Sequence, residues 1–396
     1  MVAPASLWKM YGNDWRHPAQ VVNLWPGAKR PEAPTLAYKA VGHFWDILDQ
    51  LKVTLLVGRE YEHLLTGFSY RGKPTATFHP MPHPSGIAVD SERGRVFVAS
   101  TRSPNQLVEL APIKAVLRRT DVVVRPPTGA PLVPVHSHFL PGCLYLHDLA
   151  FVGNQLHGNA VAHNAIVRFD RIGSFTRVWW PACIDSRRGP RFDLNLLQLN
   201  SIAAGRTLKT SYFTASIARP HRRRPGDKDF PVDRRGVVFS GLTRETICGG
   251  LTRPHSARLH DGQVWLDNSG YGELGVVSAG KFEVVSRLPG WTRGLLIRDG
   301  IAFVGTSRVI PRFRQYAPGL DRDRHVCAVH AVELSSGRVL GALLFPGGNQ
   351  IFAIEAIASS LSTGFAFDMT GTRNRTQEFS LFYAFDSEAR KEHPNE

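Results

Sequence analysis

Apolar residues along most of this chain come in short runs bounded by turn residues, and that pattern predicts strands. VTLLVG at 53–58, HLLTGFSY at 63–70 and TATFH at 75–79 read as three successive strands. Each is a short block rich in β-branched and aromatic residues between Gly, Pro, Asn or Asp. GIAVD and RVFVAST, with the turn at 91–94, read as a hairpin, and NQLVEL adds a third strand. Helical periodicity is confined to residues 43–51, where Phe44, Ile47, Leu48 and Leu51 share one face.

The runs also recur in units. Each unit opens on a polar residue or pair, enters an apolar strand, turns at Gly or Asp, and continues into a second apolar strand. The openings are His83-Pro-Ser-Gly, His147-Asp148, Leu199-Asn200, Pro254-His255, Thr292-Arg293 and Asn349-Gln350. Their spacing exceeds the forty or so residues of a four-stranded blade. The excess is assigned to insertions at 111–138, 171–195, 218–234 and 307–324, all rich in Pro, Arg and Gly. A β-sandwich gives no cause for a polar residue ahead of every unit. The expected fold is therefore all-β: a six-bladed β-propeller over residues 43–363. Its sixth unit has one strand after Gln350, and the N-terminal strands from residue 53 to 79 complete that blade, removing exposed edges. Residues 1–42 are read as a wrapping segment, and the place of 364–396 is left open.

In a propeller the first strand of each blade lines the central channel, so the unit openings converge on one mouth. That brings together His83, His147, Asp148, Asn200, His255, Ser256, Arg293 and Gln350. Imidazoles with a carboxylate suit a divalent metal, and His147, Asp148 and His255 are the candidate ligands. Without metal, His147 and His255 suit acid–base chemistry and Arg293 suits an anionic group or a developing negative charge. His83, Asn200, Ser256 and Gln350 are the candidate substrate contacts. The alternative for each is structural, since a polar side chain at a strand start can bond to the next blade's backbone. His79, His136, His138, His157 and His163 read as packing or surface residues.

Net charge is +15, from 48 basic and 33 acidic residues. The basic residues are spread along the chain except for RPHRRRPGDK at 219–228, which its prolines and glycine make a loop. A nucleic-acid partner is therefore not expected, and a small-molecule or glycan ligand of anionic character is. Four cysteines, Cys143, Cys183, Cys248 and Cys327, have no close spacing and read as scattered thiols. No apolar run is long enough to span a bilayer. The start MVAPASLWKMYGNDWRHP lacks the pattern of a secretory leader, so the expected location is cytoplasmic.

LTRPHSARLHDGQVWLDNSGYGELGVV, LPGWTRGLLIRDGIAFVGTSR, HDLAFVG and QIFAIEAI together resemble a bacterial family of uncharacterised proteins, the DUF4915 group, from about Phe44 to Ile357. The resemblance implies a propeller and carries over no activity. Where the family often shows His-Leu-Asn this chain has Gln198-Leu199-Asn200. Where it often shows Glu-Ile-Phe-Asp this chain has Gln350-Ile-Phe-Ala353. Both departures remove potential metal ligands. Three classes of function follow: an enzyme of lyase, hydrolase or isomerase type, a non-catalytic propeller binding an anionic glycan or metabolite, and a protein-interaction scaffold.

Overall fold

The computed structural model describes residues 31–101, 105–113, 129–140, 144–170, 174–321 and 324–369. Residues 1–30 of the expected wrapping segment, Cys143, and the tail from residue 370 onward lie outside the described residues. Six antiparallel sheets form a six-bladed β-propeller, and their inner strands adjoin one another all the way round. The inner strands of blades 1 to 6 are Pro84–Asp90, Leu146–Val152, Leu199–Ala203, Pro254–His260, Trp291–Arg298 and Ala353–Ala358. No helix among the described residues is long and apolar enough to cross a membrane.

Closure follows the expected scheme. Val53–Arg59 pairs antiparallel with Ala353–Ala358, from Val53 opposite Ala358 to Gly58 opposite Ala353. Leu64–Tyr70 and Pro74–Pro80 continue outward, so both parts of the chain build blade 6. Phe367–Asp368 adds a short fifth strand to that blade, and Lys39–Gly42 adds one to the edge of blade 5. The helix Phe44–Leu51 sets Phe44 and Leu48 into a core shared with Phe68, Phe303 and Phe345, which ties blade 5 to blade 6. Val53–Arg59 is buried along its whole length, because both faces of a blade are covered by neighbours. That is why these strands read as continuous apolar runs instead of alternating ones.

Two expected insertions contain strands. Leu132–Phe139 falls in 111–138 but for its last residue, Phe175–Trp179 lies in 171–195, and these are the outer strands of blades 1 and 2. Outer strands face solvent, so LVPVHSHF carries His136, Ser137 and His138 in place of an apolar run. In the other two insertions, apart from Ser307 at the end of the strand Ile301–Ser307, the described residues form no strand, only the 3-10 helix Pro311–Tyr316.

The inner strands share a device at one register. In blades 1 to 5 the inner strand carries an extra residue just after its start, which in blade 2 falls between Leu146 and Leu149. A bulge of this kind re-aims the side chains beside it. One residue later, a side-chain oxygen accepts an N–H from the next blade. Asp148 accepts from Ile202 at 3.0 Å, Ser201 from Ala257 at 2.9 Å and Ser256 from Gly294 at 2.7 Å. In blade 1 the corresponding residue is Gly86, where a Cβ would stand 2.3 Å from the nitrogen of Leu149. The main chain of blade 2 fills that space. Gly86→Ala is therefore expected to destabilise the protein by about 3 kcal/mol or more, as overpacking against backbone that cannot move aside. Gly72→Ala meets nothing within 4 Å and bears only the strain of its positive φ of 71°, about 1 kcal/mol. Chemical denaturation of the two variants checks the difference; equal losses would refute the close approach of blades 1 and 2.

Candidate functional site

By register of the inner strands, the position that opens each blade toward the axis holds Ser85, His147, Asn200, His255 and Arg293 in blades 1 to 5. His147 and His255, distant in sequence, come together with ring centroids 5.7 Å apart. Phe352, at the entry to the inner strand of blade 6, presents its ring edge-on to both, at 5.3 and 5.5 Å. The Arg293 guanidinium lies 4.0 Å over the same ring and 4.9 Å over Trp291. Four of the sequence-derived residues thus assemble: His147, His255, Arg293 and, beside them, Gln350. They are 3%, 5%, 6% and 2% exposed, so the cluster is closed over instead of lining a wet mouth.

The hydrogen bonds fix the protonation of His255. Arginine only donates, so the 2.9 Å contact from Arg293 Nη2 makes His255 Nε2 the acceptor. The ring proton then sits on Nδ1 and is donated to Ser256 Oγ at 2.9 Å. Burial first, then Arg293, His147 and Arg253, hold His255 well below the usual histidine range, so the imidazole is neutral. Ser256 Oγ also accepts from Gly294, which leaves its own hydrogen toward Asp267. Asp267 is fully buried and neither of its oxygens completes a hydrogen bond. Desolvation raises its carboxyl well above the ordinary value, against smaller opposing effects of Ser256, Arg258 and Arg293. Burial thus favours the protonated form of the Asp267 carboxyl.

On the other side of Arg293 the chain of contacts crosses blades 6 and 1. With the Gln350 amide oriented to meet complementary partners, its oxygen accepts from Arg293 Nη1 at 2.6 Å and its nitrogen donates to Glu60 at 2.9 Å. Thr101 donates to Glu60 at 2.8 Å, and His83 Nδ1 stands 3.8 Å from the same carboxylate. His83 lies two residues before Ser85 at the axis register, with its backbone N–H on His63 and its ring against that imidazole at 4.4 Å. Asn200 donates to Pro254 O at 2.9 Å and to Ser216 at 3.2 Å, so its amide holds blade 3 to blade 4.

Asp148 does not join the histidines. Its carboxylate accepts from Leu149 and Ile202 and, at 3.1 Å, from Arg258 of blade 4. The donor set expected for a metal, His147, Asp148 and His255, is thus split, and a guanidinium occupies the Nε2 of one imidazole. Among the described residues no group of three or more His, Cys, Asp or Glu is placed to hold an ion. The residues do not fit a divalent metal.

Sequence reading passed over Arg253, Phe352, Glu60, Asp267, Arg258 and Glu355. Arg253 stands two residues before His255 in an αL conformation, 8% exposed, with φ of 55°. It donates to Gln198 at 2.5 Å and lies 4.2 Å over Tyr316. No described carboxylate pairs with it, and burial pulls it down to about 10. The signal that could have found it is its place ahead of Pro254-His255, where Tyr145 and Gln198 stand in blades 2 and 3 with the same positive φ.

A family model described as a domain of unknown function, DUF4915, matches residues 42–363. No curated protein matches the chain. Among solved structures, a nidogen/laminin complex matches at 10% identity with a TM-score of 0.51, over 78% of this chain and 99% of that one. A gluconolactonase from Xanthomonas campestris matches at 13% identity and a TM-score of 0.44, over 74% and 86% of the two chains. A calcium-binding protein, regucalcin, from Agrobacterium tumefaciens matches at 12% identity and a TM-score of 0.40, over 65% and 72%. Likeness at these identities speaks to the fold alone.

The protonation pattern makes a prediction. A carboxyl raised in the folded state favours folding while it stays protonated, and that advantage is lost as pH rises from the unfolded value toward the folded one. Asp267→Asn keeps the shape and removes the titration. At pH 7 and above the variant should be as stable as the parent or more so, and the gap should widen with pH in denaturation curves. Equal pH slopes for the two proteins would show that Asp267 is ionised in the fold.

Proposed function

This chain belongs to the DUF4915 family, and from that premise we propose that it is a β-propeller binding a small anionic ligand at the end of the ring where the inner strands begin. The observation that carries the reading is Arg253. A guanidinium buried without a carboxylate is costly, by several kcal/mol if nothing neutralises it, and an anionic ligand supplies the missing charge. Arg293 is the second recognition group, held by His255, Gln350 and the Phe352 ring. Neutral His255 suits this role, because an imidazolium beside two guanidiniums would repel them and an imidazole orients one. Tyr145 and Gln198, which stand with Arg253 just ahead of the inner strands, are the neighbouring contacts for the ligand's polar groups.

A second reading, an enzyme, rests on the facing imidazoles. His147 is then the acid–base group and Arg293 the stabiliser of negative charge. His147→Ala would abolish turnover while leaving anion affinity in place.

Calorimetric titration with citrate, glucuronate and inorganic phosphate tests the binding reading. At least one anion should bind and raise the melting temperature, while glucose should do neither. Arg253→Gln should weaken that binding roughly tenfold or more, the loss expected for one charge-assisted contact. A folded protein indifferent to all three anions, or an Arg253→Gln variant with unchanged affinity, would sink it.

A further inference from the structure

The opposite half of the ring interior holds a cavity of about 190 Å³. Its walls come from the second halves of the inner strands and the residues just after them. Ala88, Leu149, Ile202, Ala204 and Leu259 supply an aliphatic lining, and Arg258 and Glu355 supply the polar groups. The volume is a little above the roughly 150 Å³ that admits benzene. Nothing in the proposed anion site reaches this space: Arg253, His255 and Arg293 stand at the other ends of the same strands.

The charges do not balance. Arg258 bonds Asp148 at 3.1 Å and lies 3.4 Å from Glu355, so one guanidinium serves two carboxylates from blades 2 and 6. Arg258 and Glu355 are 16% and 20% exposed, which leaves both reachable from the cavity. Burial, with Asp148 adding to it, pushes Glu355 up to about 7. A group so poised releases its proton when a cation arrives.

We infer that this cavity is a second ligand site, for a small organic cation: an ammonium head paired with Glu355 and a compact aliphatic body against Ala88, Leu149, Ile202, Ala204 and Leu259. The buried Nε–H of Arg258 makes no hydrogen bond in the fold and offers one donor to a hydroxyl or carbonyl beside the ammonium. The inference stands apart from the anion site and survives its failure.

Cyclohexylammonium is the probe, with cyclohexanol and cyclohexanecarboxylate as neutral and anionic controls of the same shape. Calorimetry at pH 7 in two buffers of different ionisation enthalpy should show the amine binding with proton release and the carboxylate not binding. Glu355→Gln should weaken amine binding at least tenfold and abolish proton release. Ala204→Leu, which fills the cavity without touching a charge, should block the amine as well and serves if the first variant does not fold. An undetectable amine, a carboxylate that binds as well as the amine, or amine binding unchanged in Ala204→Leu would overturn the assignment.

Discussion

Six strands must stand side by side around one axis, and their closeness governs most of what is polar in this protein. At the register following each strand start there is no room for an ordinary side chain between blades. Asp148, Ser201 and Ser256 meet the condition by accepting the next blade's N–H. Gly86 and Gly294 meet it by having no side chain, with Gly294 pressed against Ile354 at a φ of 84°. An N–H buried between blades would otherwise lack a partner, at a cost of about 1–3 kcal/mol. Small and polar residues therefore recur at the ring's interior for a structural reason before any functional one. Asn200, whose amide spans to Pro254, belongs to the same economy.

Against that background only part of the polar interior is left for chemistry. His147 and Asp148 are adjacent in sequence, yet the bulge sends them to different company: one imidazole to His255 and Phe352, one carboxylate to Ile202 and Arg258. Likewise His255 and Ser256 divide between a functional candidate and an inter-blade latch, and the latch accepts the ring proton that the Arg293 contact places on Nδ1. Structure and site are thus coupled through single hydrogen bonds. Altering Ser256 disturbs both the blade contact and the orientation of His255.

The unit openings were legible because a polar residue at a fixed place before an apolar strand is a one-dimensional signal. Closure was legible too, from a single strand after Gln350 and three surplus strands before residue 80. Outer strands such as Leu132–Phe139 escaped, since an exposed edge carries polar residues and looks like loop. Phe352 escaped for the opposite reason: in QIFAIEAI it reads as one more core aromatic, and only the three-dimensional ring shows two imidazoles and a guanidinium around it. Arg253 was hidden among many arginines, and its burial without a carboxylate cannot be read from a string of residues. The expected metal set failed at the point where strand neighbours were taken to share a direction.

The two halves of the interior end with opposite character, and burial is what separates them. At the strand starts desolvation lowers His255 and raises Asp267, disfavouring the charge on each, while Arg253, far above neutrality even when pulled down to about 10, stays charged. Glu60 reaches Arg293 through Gln350 instead of directly. Toward the strand ends the same desolvation raises Asp148 and Glu355, and Arg258 between them opposes it in part at both. Shared between two acids, that arginine leaves an excess of carboxylate. One ring of strands thus carries a cationic end and an anionic end, because the side chains that recognise the backbone of neighbouring blades take one role and the leftover charges take the other.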